Sequence, residues 1–371
     1  MSAVWVVKLG SSLLTANGEA LDRRWIAQVA AQVAALRAQG VAVVLVSSGA
    51  VAAGLARLGR AERPTELAQL QAVAAIGQPD VMQAWSVALA EHGLVAAQLL
   101  LSHEEARSRE RYLNVRATLR ELLAQGVVPV VNENDSVATE EIRFGDNDRL
   151  AAMVADLAAA ERLLLLTDQW GLATADPRRE PGARRISSAS AADPALDAMA
   201  GGGGSLGRGG MLTKLAAARR AARSGITTWI LYGRLPGVLL AAAAGQAPGT
   251  CLRPADKQRR WRARQRWLGT ALHVQGAYHL DAGAARALRA GRVSLLPVGV
   301  TAVDGDFRRG DLVACLDAQG REVARGLSNY SAADAARLCG AQGREVAQRL
   351  GRPGEAECIH RDNLVLSEDG A

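Results

Sequence analysis

Short runs of Val, Leu and Ile alternate along the first two-thirds of this chain with longer stretches whose apolar positions repeat at helical spacing. The runs read as strands: Ala3 to Val7, Val41 to Val46, A-A-Q-L-L-L near Leu99, V-V-P-V-V before Asn132, L-L-L-L-T ending at Thr167, and T-W-I-L-Y near Thr228. The stretches between them read as helices. One runs from about Asp22 to Gln39 and stops at Gly40, a C-cap signal; another runs from Ser108 to Gln125 and stops at Gly126. Two or three helices are predicted between Thr65 and His92, and one from about Asp148 to Ala160. Turn residues after Thr167 suggest a small hairpin. Runs that are apolar throughout belong to strands buried on both faces, and their alternation with helices predicts an α/β fold, a mainly parallel sheet covered on both sides.

The pattern changes near Arg253. A basic segment follows, with Arg253, Lys257, Arg259, Arg260, Arg262, Arg264 and Arg266 crowded among Trp261 and Trp267. Beyond it come short strands with turn signals: L-H-V, S-L-L-P-V-G-V, G-D-L-V-A-C-L and E-V-A-R-G-L. The predicted organisation is a first domain over 1–253, a linker over 254–268, and a small β-rich domain with a tail over 269–371.

At 371 residues, 49% of them hydrophobic, the chain is long enough for two cores. No stretch has the length and apolarity of a membrane span, and the first ten residues lack a signal pattern, so a cytoplasmic protein is expected. Cys251, Cys315, Cys339 and Cys358 lack paired spacing, which argues against zinc and disulfides. The net charge of +7 is concentrated in the basic segment, so it is weak evidence for a nucleic-acid partner.

How the positive charge is made says more. Of 44 Lys and Arg, only Lys8, Lys214 and Lys257 are lysines. Where composition favours Arg so strongly, a retained lysine suggests chemistry that needs a compact point charge, such as contact with a phosphate. Lys8 and Lys214 both sit near glycines, whereas Lys257 lies in the basic segment. Three of the seven asparagines, Asn132, Asn134 and Asn147, fall between Asn132 and Asp148, interleaved with Glu133, Asp135, Asp146 and Asp148. A capped turn explains one or two of these residues; a ligand site at the strand's carboxyl edge explains the set. S-S-G-A at Ser47 to Ala50 would offer N–H groups and hydroxyls to an anion. The run G-G-G-G-S-L-G-R-G-G-M-L-T-K, Gly201 to Lys214, is not a Walker A loop, because Leu215 follows the lysine. It could still wrap a nucleotide phosphate.

K-L-G-S-S, S-S-G-A-V-A-A-G, V-V-N-E-N-D-S-V-A, F-G-D-N-D, L-L-L-L-T-D-Q-W-G-L-A-T-A-D-P and G-R-G-G-M-L-T-K, in this order, resemble the glutamate 5-kinases of the amino acid kinase family. The part around S-L-L-P-V-G-V and F-R-R-G-D-L-V resembles a PUA domain. The resemblance implies the three-layer fold of that family and ATP-dependent phosphorylation of the L-glutamate side-chain carboxylate, with Mg²⁺ accompanying the nucleotide. It assigns Lys8, Lys214 and Asp148 to catalysis, with Asp148 holding the lysines. Asn132 and Asp135 would bind the substrate's amino group, and Asn147 with Ser48 the rest of glutamate. Lys8, Thr167, Asp168 and the loop of Arg208, Gly209, Gly210, Met211, Leu212, Thr213 and Lys214 would contact ATP. Arg208 and Leu212 depart from the family's usual loop. No protein ligand for the metal is assigned. The resemblance also implies a homo-oligomer, coupling to glutamyl-phosphate reductase, and RNA contact through the PUA-like part. Other family members act on N-acetylglutamate, carbamate or uridylate. Asp135 argues against the acetylated acceptor, since a free ammonium needs an anionic partner and an amide does not. The reading from a different class is an RNA-binding protein acting through the PUA-like part.

Overall fold

The architecture comes from a computed structural model that describes residues 3–16, 20–102, 109–137, 147–176, 180–200, 210–246, 248–255, 274–291 and 293–367. Contacts divide the chain into two units, Met1–Ala106 with Val115–Arg260, and Arg107–Asn114 with Trp261–Ala371.

The apolar runs of the first unit become an eight-stranded sheet. In chain order its strands are β1 (Ala3–Leu9), β4 (Val41–Val46), β5 (Ala96–Leu101), β6 (Val128–Glu133), β7 (Arg162–Thr167), β8 (Ser188–Ser190), β9 (Thr227–Tyr232) and β10 (Gly249–Arg253). They lie in the order β5-β6-β4-β1-β7-β9-β10-β8, while β2 (Thr15–Ala16) and β3 (Ala20–Leu21) form a separate ribbon. All the pairings in the large sheet are parallel except β9 with β10. Parallel order brings the carboxyl ends of β1, β4, β6 and β7 to one edge, and Lys8, Ser47, Ser48, Asn132 and Thr167 all sit at or just after such an end. Val43, Val44, Leu45 and Val46 are all fully buried, so both faces of the central strands are covered.

Helix α1 (Ser11–Leu14) follows β1. Helix α2 (Arg23–Ala38) is capped by Asp22, whose carboxylate accepts from the Trp25 backbone N–H at 2.9 Å. Trp25 then ties the helix to the sheet by donating from its indole to the Gly233 carbonyl at 2.9 Å. Helix α3 (Ala50–Arg57) packs on α4 (Leu67–Ala90). The sequence predicts two or three helices here, and Gly and Pro, which ordinarily interrupt a helix, stand at Gly77 and Pro79. The structure has one helix of 24 residues with Pro79 inside it. Gly77 instead serves a crossing: a Cβ there would lie 2.0 Å from the Ala50 carbonyl oxygen and 2.2 Å from the Gly54 nitrogen. Gly54 answers it, since its own Cβ would lie 1.9 Å from the Val73 oxygen. Close approach of two backbones is a tertiary demand that local propensity does not register.

Helices α5 (Arg109–Ala124), α6 (Asp148–Leu157), α7 (Ala195–Met199), α8 (Met211–Arg223) and α9 (Val238–Ala243) follow. The expected hairpin after Thr167 reduces, among the described residues, to a single bridge between Ala173 and Arg185. Thr250 ties its two arms together, its hydroxyl accepting from the Leu172 N–H at 2.8 Å and donating to the Ile186 carbonyl at 2.6 Å.

The second unit has a five-stranded sheet, β12-β11-β13-β14-β15. These strands are β11 (Gly276–Leu280), β12 (Val300–Gly305), β13 (Leu312–Leu316), β14 (Glu322–Leu327) and β15 (Leu364–Leu366). Two of the expected strands appear as β13 and β14. S-L-L-P-V-G-V is a strand only from Val300, because Pro297–Gly299 forms a 3₁₀ turn. Leu272 and His273 lie outside the described residues, as does most of the basic segment. Helices α10 (Ala282–Ala290), α11 (Ala332–Leu338) and α12 (Val346–Leu350) complete the unit around Tyr278 and Phe307, whose rings meet edge to face at 5.6 Å.

Candidate active site

The last turns of β1 and β6 and the first turns of α6 and α8 supply the centre of the site. Lys8 stands one residue before the end of β1, Asp148 opens α6, and Lys214 is in the first turn of α8. The Asp148 carboxylate is fully buried and engages both lysines, with Oδ1 2.6 Å from Lys8 Nζ and Oδ2 3.1 Å from Lys214 Nζ. The Thr213 hydroxyl lies 2.9 Å from the same Oδ2 and 2.8 Å from the Gly210 carbonyl. Lys8 and Lys214 are themselves almost completely buried. Buried ammonium groups are costly unless an anion sits beside them, and one carboxylate shared by two lysines leaves these three groups with a surplus positive charge. That surplus suits charge developing on a transferring phosphoryl group.

A second cluster lies beside the first. Gly49 leads into α3 at φ +98°, a conformation that L residues rarely adopt, and so turns the chain sharply after Ser47 and Ser48. Asn147, directly before Asp148, donates from Nδ2 to the Ser47 carbonyl at 2.5 Å and to Asn132 Oδ1 at 2.8 Å, with Ser48 Oγ at 3.2 Å. Asn132 in turn donates to Gln78 Oε1 at 2.7 Å, and the Trp85 indole donates to Ser47 Oγ at 3.0 Å. Asp135 lies in the turn after β6, half-buried. Desolvation pushes its carboxyl up to about 6, with Arg63 opposing that rise through its charge.

At the next strand end, the Thr167 hydroxyl donates to Asp168 Oδ1 at 3.1 Å. Thr167 pairs in register with Tyr232, on which Trp170 stacks at 4.4 Å with half its surface exposed. Gly210, Met211 and Leu212 open α8; Arg208 and Gly209 lie outside the described residues.

The structure therefore gathers Lys8, Lys214, Asp148 and Thr213 into one ion-pair cluster, and Ser48, Asn132 and Asn147 into one amide network. Among the described residues, no hydrogen bond ties Asp135, Thr167 or Asp168 to either. Sequence reasoning missed Gln78 and Trp85 because both lie on α4, in a stretch that was legible only as helix. Among the described residues no group of three or more His, Cys, Asp or Glu is placed to hold a metal ion, and both oxygens of Asp148 already face ammonium groups.

Comparison with known proteins shows the family. The model of the amino acid kinase family matches residues 3–232, and the PUA domain model matches residues 276–350. Glutamate 5-kinase of Ectopseudomonas mendocina (strain ymp) is 55% identical over 363 residues, covering 98% of this chain and 97% of its own. The glutamate 5-kinase of Pseudomonas savastanoi pv. phaseolicola (strain 1448A / Race 6) is 54% identical, covering 98% of both chains. Among solved structures, carbamate kinase from Giardia lamblia bound to AMP-PNP shares the fold, with a TM-score of 0.51, 17% identity, and coverage of 68% of this chain and 98% of that one. The chain belongs to the amino acid kinase family, in its glutamate 5-kinase branch, with a PUA domain following the kinase unit.

Proposed function

We propose that this protein transfers the γ-phosphoryl group of ATP to the side-chain carboxylate of L-glutamate, giving glutamyl 5-phosphate and ADP, the first step of proline synthesis. The observation that carries this reading is the pair of buried lysines held on one buried aspartate at the carboxyl edge of the sheet. A carboxylate acceptor is already ionised at neutral pH, so its oxygen attacks the γ-phosphorus without a general base. A new P–O bond forms to that oxygen, the bond from the γ-phosphorus to the β,γ-bridging oxygen breaks, and ADP leaves with the electron pair. The work left to the protein is to bring two anions together and to neutralise charge as it spreads over the moving group. Lys8 and Lys214 perform that neutralisation in this reading, and Asp148 positions both.

The amide network and Asp135 bind the acceptor, Asp135 facing the free ammonium. Thr167, Asp168 and the segment from Arg208 to Lys214 hold the nucleotide. Mg²⁺ accompanies the ATP phosphates and screens their charge; the described residues do not form a metal site of their own, and no step above depends on the ion. No helix among the described residues is long and apolar enough to cross a membrane. We place the reaction in the cytoplasm.

The test is ADP release by the purified protein with a panel of acids. Turnover with L-glutamate that exceeds turnover with N-acetylglutamate, carbamate or uridylate is the expected result. Activity with N-acetylglutamate and none with glutamate would overturn the choice of acceptor.

A further inference from the structure

The chain of side-chain amides at the sheet edge has a direction, and one backbone atom sets it. The Ser47 carbonyl can only accept a hydrogen bond, so the Asn147 atom 2.5 Å away must be Nδ2. An amide nitrogen has two hydrogens. One goes to Ser47, and the other goes to Asn132 Oδ1 at 2.8 Å, leaving none for Ser48 Oγ at 3.2 Å. Asn132 is thereby committed to present its oxygen to Asn147 and its nitrogen to Gln78, whose Oε1 accepts at 2.7 Å. Reversing any one amide would set two donors or two acceptors against each other. Asn132 and Asn147 are buried, which makes such a mismatch expensive.

The chain therefore ends at Gln78 Nε2, with two N–H donors and no acceptor among the described residues. Gln78 is half-buried, so a solute can reach it. A glutamine whose oxygen is consumed by the protein while its donors are kept in reserve is suited to receive an acceptor, and a carboxylate accepts such donors most strongly. We infer that Gln78 is a substrate ligand, its Nε2 donating to the non-reacting α-carboxylate of the amino acid.

This inference rests on the proposed acceptor, and it divides glutamate's two carboxylates between the ends of the network. The reacting carboxylate belongs near Lys8 and Lys214, beside which Asn147 stands as the neighbour of Asp148. Gln78 lies at the opposite end, linked to Asn147, among the described residues, through Asn132. With Asp135 three residues beyond Asn132 and available for the ammonium, Gln78 and Asp135 together would recognise the two charges of a free amino-acid head group. An acceptor lacking an α-carboxylate leaves the Gln78 donors unanswered, so the residue discriminates for amino acids as a class.

Two substitutions separate this role from a merely structural one. Gln78→Glu has the same shape and keeps an oxygen for Asn132 Nδ2, but it replaces the donors with negative charge. Gln78→Leu removes both ends. Affinity for L-glutamate is measured by calorimetry with a non-hydrolysable ATP analogue present, alongside KM for ATP and the melting temperature. Gln78→Leu is expected to weaken glutamate binding by roughly ten- to a hundredfold, the cost of a hydrogen bond to a charged group. Gln78→Glu is expected to weaken it further by repulsion, while KM for ATP and the melting temperature stay near those of the wild type. If Gln78 only holds Asn132, Gln78→Glu will bind glutamate as well as the wild type does, and the inference fails. The inference fails equally if Gln78→Leu weakens 4-aminobutyrate, which is glutamate without its α-carboxylate, by the same factor as glutamate. A wild-type protein that releases no ADP with glutamate defeats the proposed acceptor itself, an outcome distinct from either of these.

Discussion

Replacing Asp148 with Asn would remove one negative charge from between two buried ammonium groups while changing the side chain's shape very little. At 2.6 and 3.1 Å, with an effective dielectric constant of about 20, the two Coulomb attractions amount to about 6 and about 5 kcal/mol. Most of that is offset by the cost of having taken all three charges out of water. The net penalty for removing the shared partner of a buried ion pair is roughly 3–5 kcal/mol. For a domain of this size each kcal/mol moves the melting temperature by about 2–4 °C, so the kinase unit's transition should fall by roughly 6–20 °C. The nucleotide should reverse part of this loss. Its polyphosphate brings negative charge to the lysines, so a non-hydrolysable ATP analogue should raise the melting temperature of Asp148→Asn by more than it raises that of the wild type. Catalysis should not recover, because the lysines are no longer held in place; a fall in kcat of about 10²–10³ is expected, comparable to the loss of a preorganised charge-stabilising group. Calorimetric scans with and without the analogue, and ADP release with glutamate and ATP varied separately, measure both effects. The reasoning is refuted if the variant melts within a degree or two of the wild type, if the analogue stabilises it less than the wild type, or if kcat stays near normal.

Asp135→Asn should act on binding instead, raising KM for glutamate by roughly ten- to a hundredfold through loss of a charge-assisted contact, with a smaller effect on kcat; an unchanged KM would remove Asp135 from the site. Because burial raises the Asp135 carboxyl to about 6, the wild-type KM for glutamate should climb as pH falls through that value, and Asp135→Asn should lose this dependence. The same shift has a stability consequence: a raised carboxyl pKa means that ionisation is penalised in the folded state, a cost that builds between the unfolded value and about pH 6 and is full above it. Asp135→Asn should therefore melt no lower than the wild type above neutrality, and a clear drop would contradict the assignment. Lys214→Arg keeps the charge but cannot place it at the same point beside Asp148 Oδ2, so kcat should fall severely with folding intact; near-normal turnover would show that position is unimportant. Gly77→Ala drives a Cβ to 2.0 Å from a backbone oxygen that cannot step aside, so it should destabilise the kinase unit by about 3 kcal/mol or more, whereas Gly182→Ala, with open space around it, should change stability by about 0.5 kcal/mol or less. Urea unfolding of the two variants measures that contrast.

Some of this molecule is written in runs of residues and some only in their meeting. The strands of the kinase unit were legible because β1, β4, β6 and β7 are covered on both faces and so carry unbroken apolar runs, with the polar residues at their ends. The end of α2 was legible because Gly40 adopts a φ of +80°, which its missing Cβ allows. The scarcity of lysine marked Lys8 and Lys214, and the density of amides marked Asn132 and Asn147, without any knowledge of contacts. Sequence could not say that α4 is one helix, because Gly77 and Pro79 carry the local marks of a break while the α3 crossing needs the glycine for close approach. It could not find Gln78, whose meaning comes from an asparagine 54 positions away. Composition and spacing alone could not bring Lys8 and Lys214 to one carboxylate; only the resemblance implied that Asp148 holds both. That meeting depends on parallel strand order, which sets the carboxyl ends of β1, β4 and β6 side by side, and on helix α6 starting at that same edge with Asp148 as its first residue. Local composition selects which residues are chemically capable; the long-range pairing of strands decides which of them share a volume small and dry enough for their charges to act on one another.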